Sequence, residues 1–316
     1  MAGDQKRRRN HTVQAALLQR FTDSHGRLTR VPLEGNPHRV RYQDATVIKD
    51  FYTIRTEDGS IDDSFERSLA DLEAPLGPAL RALIDEACWP IPPETRSYLA
   101  RWITLQLLRT PFFRSFGDSM KDVMFRASIN ISTAADFGRY LEERGKHFPP
   151  NEVRHLFDMY HEPGAIPGGS LAEHIGMIHQ FEPRTTATIL ERGWTFFRND
   201  DHGFITSDHP VATRMRTKPD ANADIWGILG EVVVSLDRHV ALVVGEDTHD
   251  DRWMTINMPS AQFINQEIAH FARQAIYHHP DDEPTRSLVL PPPYRRKGTV
   301  EQWLNELING PDKDPS

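Results

Sequence analysis

Polar side chains with the chemistry of hydrolases stand at isolated positions within apolar stretches of this 316-residue chain. A histidine titrates near neutral pH and can act as a base, a carboxylate orients a base or binds a divalent cation, and an arginine stabilises an anion. Brought together in one cleft, such groups would hydrolyse a phosphodiester bond. The residues concerned are His11, Glu66, Gln106, Arg109, Asp208 and Asn265.

The stretch FITSDHPVAT (204–213) places a carboxylate and a histidine at the end of a strand-like run. Asp208 could bind a metal, orient a base or accept a hydrogen bond from a substrate, but a carboxylate at a strand end also caps turns. Pro210 biases His209 towards extended backbone, where its ring could contact a substrate. Both interpretations of Asp208 stay open at this point.

The stretch LQLLRTP places Gln106 and Arg109 three residues apart, on one face of a predicted helix. Because its surroundings are apolar, the guanidinium needs either a partner or a ligand. An ion pair with Glu66, Glu73 or Asp208 would be structural. The functional alternative is an anion clamp for phosphate or carboxylate.

Glu66 and Glu73 are two helical turns apart and share a face of a predicted helix. Glu66 and Asp208 are the candidate ligands of a divalent metal, which is the cofactor that such carboxylates would hold. A solvated face is the more common use of carboxylates with this spacing.

His11 precedes an apolar periodic run that predicts a short helix over 12–21, capped at Asn10 or Thr12. The dipole at a helix start disfavours protonation of the ring, and a neutral imidazole can be a base or a ligand. The alternative role for His11 is capping or packing.

The elements that must position these residues follow an α+β pattern. A helical middle section lies between strand-like runs near the N-terminus and clustered strands after residue 192. We expect a mostly helical middle section packed on a small, largely antiparallel sheet built from N-terminal and C-terminal strands. The predicted organisation is a disordered basic tail (1–9), a single α+β domain (10–280), and an extended tail with a short terminal helix (281–316).

Composition excludes several classes of protein. The net charge of −8 disfavours a nucleic-acid binder with a basic surface overall. The sequence has no Walker loop and no GxGxxG, GxSxG, HExxH or CxxC motif. With Cys88 as the single cysteine, neither an intramolecular disulfide nor a thiolate zinc site can form. No secretory signal or membrane span is evident, so we expect a cytoplasmic protein without a membrane partner.

The ordered set of motifs resembles the bacterial and fungal family catalogued as domain of unknown function 4238. NHTVQAALLQRFTDSHGRLTRV is similar to its opening, with Gln14 and Ala15 at positions where the family has Pro and Gln. Later blocks match the family at Glu66, Glu73, Gln106, Arg109 and Asn265. Over about residues 10–278 the resemblance implies one folded unit but no activity. We expect a bacterial source.

Three hypotheses follow. In a phosphodiester hydrolase, His11, Arg109 and Asp208 would be catalytic. Gln106, His209 and Asn265 would bind substrate, which would be a nucleic acid or another phosphate-containing ligand. In a non-catalytic binding or regulatory module, the same His, Arg and Asp side chains would form a buried polar network. A nucleic-acid binder would use Arg7–Arg9 and Arg295–Lys297. A solvent-open cleft favours the enzyme, and a closed network favours the module.

Overall fold

The computed structural model describes residues 9–49, 54–55, 61–62, 64–110, 113, 133–161, 171–201, 203–215 and 229–292. Most of the two predicted tails, including the terminal helix, lies outside these residues. Among the described residues, no helix combines the length and hydropathy needed to cross a membrane.

The middle of the chain is helical, as predicted. Helix α4 begins at Pro93 with Glu94 in its first turn, both of which favour a helix start. Pro75 separates α2 from α3, and α4 packs against α7. The helices of this section are α2 (Ser64–Glu73), α3 (Leu76–Leu80) with a π-helical turn (Arg81–Asp85), α4 (Pro93–Leu108), α5 (Ala134–Glu142), α6 (Pro150–His161) and α7 (Leu171–Leu190).

Before this section lie β1 (Arg9–His11), α1 (Ala15–Gln19), β2 (Arg27–Pro32), β3 (His38–Arg41), β4 (Val47–Lys49), β5 (Ile54–Arg55) and β6 (Ile61–Asp62). After it come β7 (Trp194–Arg198), β8 (Thr206–Ser207), β9 (Val211–Met215), β10 (Leu229–Ser235), β11 (Val240–Val244), β12 (Arg252–Thr255), α8 (Met258–Phe271), β13 (Ala275–His278) and a 3₁₀ turn (Pro284–Ser287).

The expected sheet of N-terminal and C-terminal strands is present as an antiparallel sheet with the order β3-β2-β13-β8. A second sheet, which the sequence did not separate from the first, has the order β12-β7-β11-β10-β9 and contains only later strands. It is antiparallel except that β12 runs parallel to β7. Among the described residues the fold is therefore α+β with two larger sheets where one was expected, and with two further strand pairs, β1-β4 and β5-β6.

Helices cover the sheets on both faces. Buried residues of α1, α3 and α4 form one core with Leu28, Tyr277 and Trp194. Residues of α8, including Ile264 and Ile268, form a second core with apolar side chains of both sheets. The elements that carry the predicted site residues are thus fixed by apolar packing from two sides.

The N-terminus differs from the prediction. His11 lies in β1, where it is paired with Val47 of β4, and α1 begins only at Ala15. The predicted helix start at Asn10 or Thr12 is wrong because strand pairing takes up this backbone. The helix-dipole argument for a neutral His11 ring therefore fails. We call the β1–β4 pair, residues 9–11 and 47–49, the N-terminal ribbon.

Candidate functional site

Arg109 lies buried at the end of α4 and pairs with the carboxylate of Glu73, the last residue of α2. Its guanidinium also donates to Gln106 Oε1 over 3.2 Å. Burial raises the pKa of the Glu73 carboxyl, and the nearby guanidinium opposes that rise. Glu73 is one of the three partners considered for a structural ion pair of Arg109, and the anion clamp stays a prediction.

Two further side chains bind the same end of α2. The Tyr98 hydroxyl donates to the carbonyl oxygens of Leu72 and Glu73 over 2.9 and 3.1 Å. The Gln14 side-chain amide donates to the Glu73 carbonyl. We call the set Gln14, Glu73, Tyr98, Gln106 and Arg109 the Arg109 cluster. Within the described part of the chain, the buried atoms Gln14 Oε1 and Gln106 Nε2 have no hydrogen-bond partner. The cluster is therefore closed, but not all of its polar atoms form hydrogen bonds.

Asp208 follows β8 and ties it to the turn between α8 and β13. Its Oδ1 atom accepts from the backbone N–H groups of Arg273, Gln274 and Ala275 over 3.0, 3.2 and 3.2 Å. The other oxygen, Oδ2, makes no hydrogen bond to the described residues. Burial raises the pKa of this carboxyl, and the three N–H bonds offset part of the rise.

Asp208 lines a cavity of about 210 Å³ between the N-terminal ribbon and one face of the four-stranded sheet. We call this cavity the ribbon pocket. Val47 and Ile48 contribute its wall on the ribbon side. Its polar lining consists of Thr12, Arg30, Asp44, Thr46, Asp208, Gln274 and Tyr277. It is partly open to solvent, whereas Arg109 is buried.

Strand register explains the floor of the ribbon pocket. Tyr277 of β13 lies opposite Arg30 of β2 on one side and opposite Thr206 of β8 on the other. Burial and the charge of Asp208 raise the pKa of Tyr277, and the Arg30 guanidinium opposes that rise. The phenol thus interacts with a cation and with a carboxylate of opposite charge in the same cavity.

For His11 and Glu66 the structure describes the backbone only. The backbone of His11 lies opposite Val47, which lines the ribbon pocket, but the side chains of His11 and Glu66 lie outside the description. Among the described residues, no three His, Cys, Asp or Glu side chains form a group that could hold a metal ion. A metal site with Glu66 and Asp208 as ligands stays a prediction.

Asn265 and His209 lie in the interior and do not line the ribbon pocket. Asn265 accepts from Ile205 N over 2.9 Å and donates to Gly203 O over 3.0 Å, so its amide pairs with the chain as a neighbouring strand would. The His209 ring packs against Phe271, and burial lowers the pKa of His209 to about 3. The predicted substrate contacts of both residues stay untested.

The structure brings the two polar regions to either end of a short segment. Thr12 lines the ribbon pocket, and Gln14 binds the Arg109 cluster. Two residues span at most about 7 Å. Asp208 and Arg109 therefore lie in neighbouring regions and bind different partners.

Sequence reasoning missed Arg30, Asp44 and Tyr277. The sequence contained one signal for Arg30. In the strand RLTRVP, Arg30 lies two residues after buried Leu28 and therefore on the same face of the strand, which puts a charged residue on an apolar face. Asp44 and Tyr277 carry no comparable local signal, because their place in the pocket depends on pairing between distant strands.

Comparison with curated proteins and with solved structures finds no match to the chain. The family model described as "Protein of unknown function (DUF4238)" matches residues 9–282. The match covers most of the chain and includes the N-terminal ribbon, the Arg109 cluster and the ribbon pocket. The chain therefore belongs to the family DUF4238.

Proposed function

We propose that this chain is a non-catalytic binding module that holds a small polar ligand in the ribbon pocket. Asp208 lines this open pocket, whereas Arg109 lies in the closed Arg109 cluster, so these two catalytic candidates do not share one cleft. One observation carries the proposal. Asp208 is fixed through Oδ1 by three backbone N–H groups, while the residue lines a cavity that solvent can enter. A carboxylate held rigidly in a pocket is a preorganised binding group, because little side-chain entropy is lost when a ligand binds.

The other predicted site residues support a structural network. Arg109 pairs with Glu73, and Asn265 completes the backbone hydrogen bonds of residues 203–205. Both side chains are buried. Groups that hold elements together in this way stabilise the scaffold that positions a pocket.

The cavity volume limits the ligand. At about 30 Å³ for each water in the liquid, 210 Å³ has room for roughly seven waters. A ligand of about ten non-hydrogen atoms fills such a space, which is smaller than a typical drug-sized site.

A thermal-shift screen of small polar metabolites tests the proposal. We expect at least one compound to raise the Tm of the wild type by about 3 °C or more at saturation. Asp208→Asn should lose this shift, whereas Asp71→Asn, at an exposed position on α2, should keep it. If no compound stabilises the wild type, or if Asp208→Asn responds like the wild type, the proposal is wrong.

A second candidate function is the hydrolysis of phosphodiester bonds. Burial raises the pKa of Asp208 in a solvent-accessible pocket that also holds Arg30, and such a carboxyl suits general acid–base catalysis. The test is activity of the wild type, His11→Ala and Asp208→Asn on single-stranded RNA, DNA and bis(4-nitrophenyl) phosphate, with and without Mg²⁺ or Mn²⁺. Equal activity of all three proteins in every assay would remove both residues from any mechanism.

A cytoplasmic location belongs to the same proposal, supported by the single cysteine, Cys88. Nucleic-acid binding through Arg7–Arg9 and Arg295–Lys297 concerns residues of which all but Arg9 lie outside the described chain. It stays a prediction, to be tested by the salt dependence of binding.

A further inference from the structure

The ribbon pocket carries two opposite charges for which the described residues supply no ion-pair partner. Arg30 and Asp208 both line it, and neither forms an ion pair with another described residue. A charged group with no counter-ion in a partly desolvated cavity gains more from a ligand of opposite charge than a group at the open surface does.

The two charges lie on different parts of the pocket wall. Arg30 belongs to β2, and Asp208 follows β8, with β13 between these strands. Tyr277 of β13 lines the same pocket, in register with Arg30 on one side and with Thr206 of β8 on the other. Asp44 adds a second carboxylate at the exposed rim.

From this arrangement we infer that the ribbon pocket binds a small zwitterion with one protonated amine and one carboxylate, of the size of a free amino acid. The amine donates to Asp208 Oδ2, which the three backbone N–H groups leave available. The carboxylate accepts from the Arg30 guanidinium and the Tyr277 hydroxyl. This inference rests on the proposed binding function and adds the ligand class to it.

The charge balance of the pocket argues against simpler ions. A phosphate or another free anion would lie against the carboxylate of Asp208, which carries the same sign of charge. A simple cation would leave Arg30 without a counter-charge. A zwitterion meets both signs, and its volume matches about 210 Å³.

Isothermal titration with a panel of free α-amino acids, β-alanine and γ-aminobutyrate tests the ligand class. The matched probes are, for the tightest ligand, its carboxamide, which lacks the carboxylate, and its deaminated acid, which lacks the amine. We expect each probe to bind at least about tenfold more weakly than the zwitterion.

Four variants assign the two ends of the ligand. In Asp208→Asn the amide oxygen can still accept from the three N–H groups while the charge is lost, so we expect the fold to persist and affinity to fall about tenfold or more. Arg30→Gln should weaken the zwitterion while leaving the affinity of the carboxamide unchanged. Asp71→Asn on α2 and Arg39→Gln on β3, both exposed positions outside the pocket lining, should change nothing. Asp44→Asn gives a second carboxylate test if Asp208→Asn does not fold.

The outcomes separate this inference from the proposed function. If another polar compound binds in an Asp208-dependent manner and no zwitterion does, the ligand class is wrong and the binding function stands. If the carboxamide or the deaminated acid binds as tightly as the zwitterion, the ligand class is also wrong. If no compound binds at all, both proposals fail.

Discussion

The Arg109 cluster and the ribbon pocket use the same residue types for different ends. In the cluster, a buried guanidinium meets a carboxylate and a glutamine, and the whole set ties α4, α2 and the N-terminal segment together. In the pocket, Arg30 and Asp208 face a cavity and meet no counter-ion among the described residues. Residue type alone therefore does not separate a scaffold from a site. The two regions are distinguished by the partner that each charged side chain contacts.

The largest expected effect comes from breaking the cluster. Arg109→Met leaves the Glu73 carboxylate partly buried without its counter-ion, and we expect a loss of about 3 kcal/mol or more in the free energy of unfolding. Urea denaturation at pH 7 measures it. Arg101 lies on α4 and forms an exposed pair with Glu182 of α7, so Arg101→Met should cost less than about 1 kcal/mol. Similar small losses in both variants would contradict a structural role for Arg109.

A slightly smaller loss of stability is expected when Asn265, a buried residue of α8, is replaced. Asn265→Ala leaves Ile205 N and Gly203 O without partners in a buried place, which should cost about 2–3 kcal/mol. Gln266→Ala is the matched control, since Gln266 also makes two backbone bonds, to Val289, but at the surface. If thermal unfolding ranks Gln266→Ala as the more damaging change, the burial argument fails.

His209 predicts a pH dependence of stability. Its pKa is lowered to about 3 in the fold, so the unfolded chain binds a proton first as pH falls through about 6.5. The stability contributed by the neutral ring is full above pH 6.5 and declines by roughly 1 kcal/mol for each pH unit below it. Denaturation at pH 7 and pH 5 should show a smaller difference for His209→Gln than for the wild type. The exposed control His147→Gln should behave like the wild type.

The smallest effect on stability is expected in the pocket. Asp208→Asn should change the free energy of unfolding by less than about 1 kcal/mol at pH 7, because the amide keeps the three backbone bonds and removes a buried charge. The sign follows from the raised pKa: the stability contributed by the protonated carboxyl is full at low pH and is lost as pH rises through the folded pKa. In Asp208→Asn the free energy of unfolding should therefore change less with pH over the range in which Asp208 titrates. A loss as large as that of Arg109→Met would place Asp208 in the scaffold.

The helical section could be predicted from the sequence because its signals are local. Apolar spacing through Leu99, Trp102 and Leu108 and the proline at position 93 define α4 without reference to the rest of the chain. The three-residue spacing also predicted the contact between Gln106 and Arg109, because residues three apart lie on the same face of one helix.

The sheet and the pocket could not be predicted in the same way. His11 pairs with Val47, and Asp208 binds N–H groups of residues 273–275, so both environments depend on segments far away in the chain. Local propensity favoured a helix around Thr12, and long-range strand pairing overrode it. Strand alternation placed Arg30 on an apolar face, but what it meets there is set by β13.

Hydrogen exchange with and without the tightest ligand of the titration panel compares the two regions in one measurement. We expect the ligand to slow exchange at residues 9–14, 44–48 and 273–277, around the ribbon pocket, and to leave α4 residues 98–109 unchanged. Protection confined to 98–109, with none at the N-terminal ribbon, would contradict the account, because it would make the Arg109 cluster the binding site and the ribbon pocket an incidental cavity.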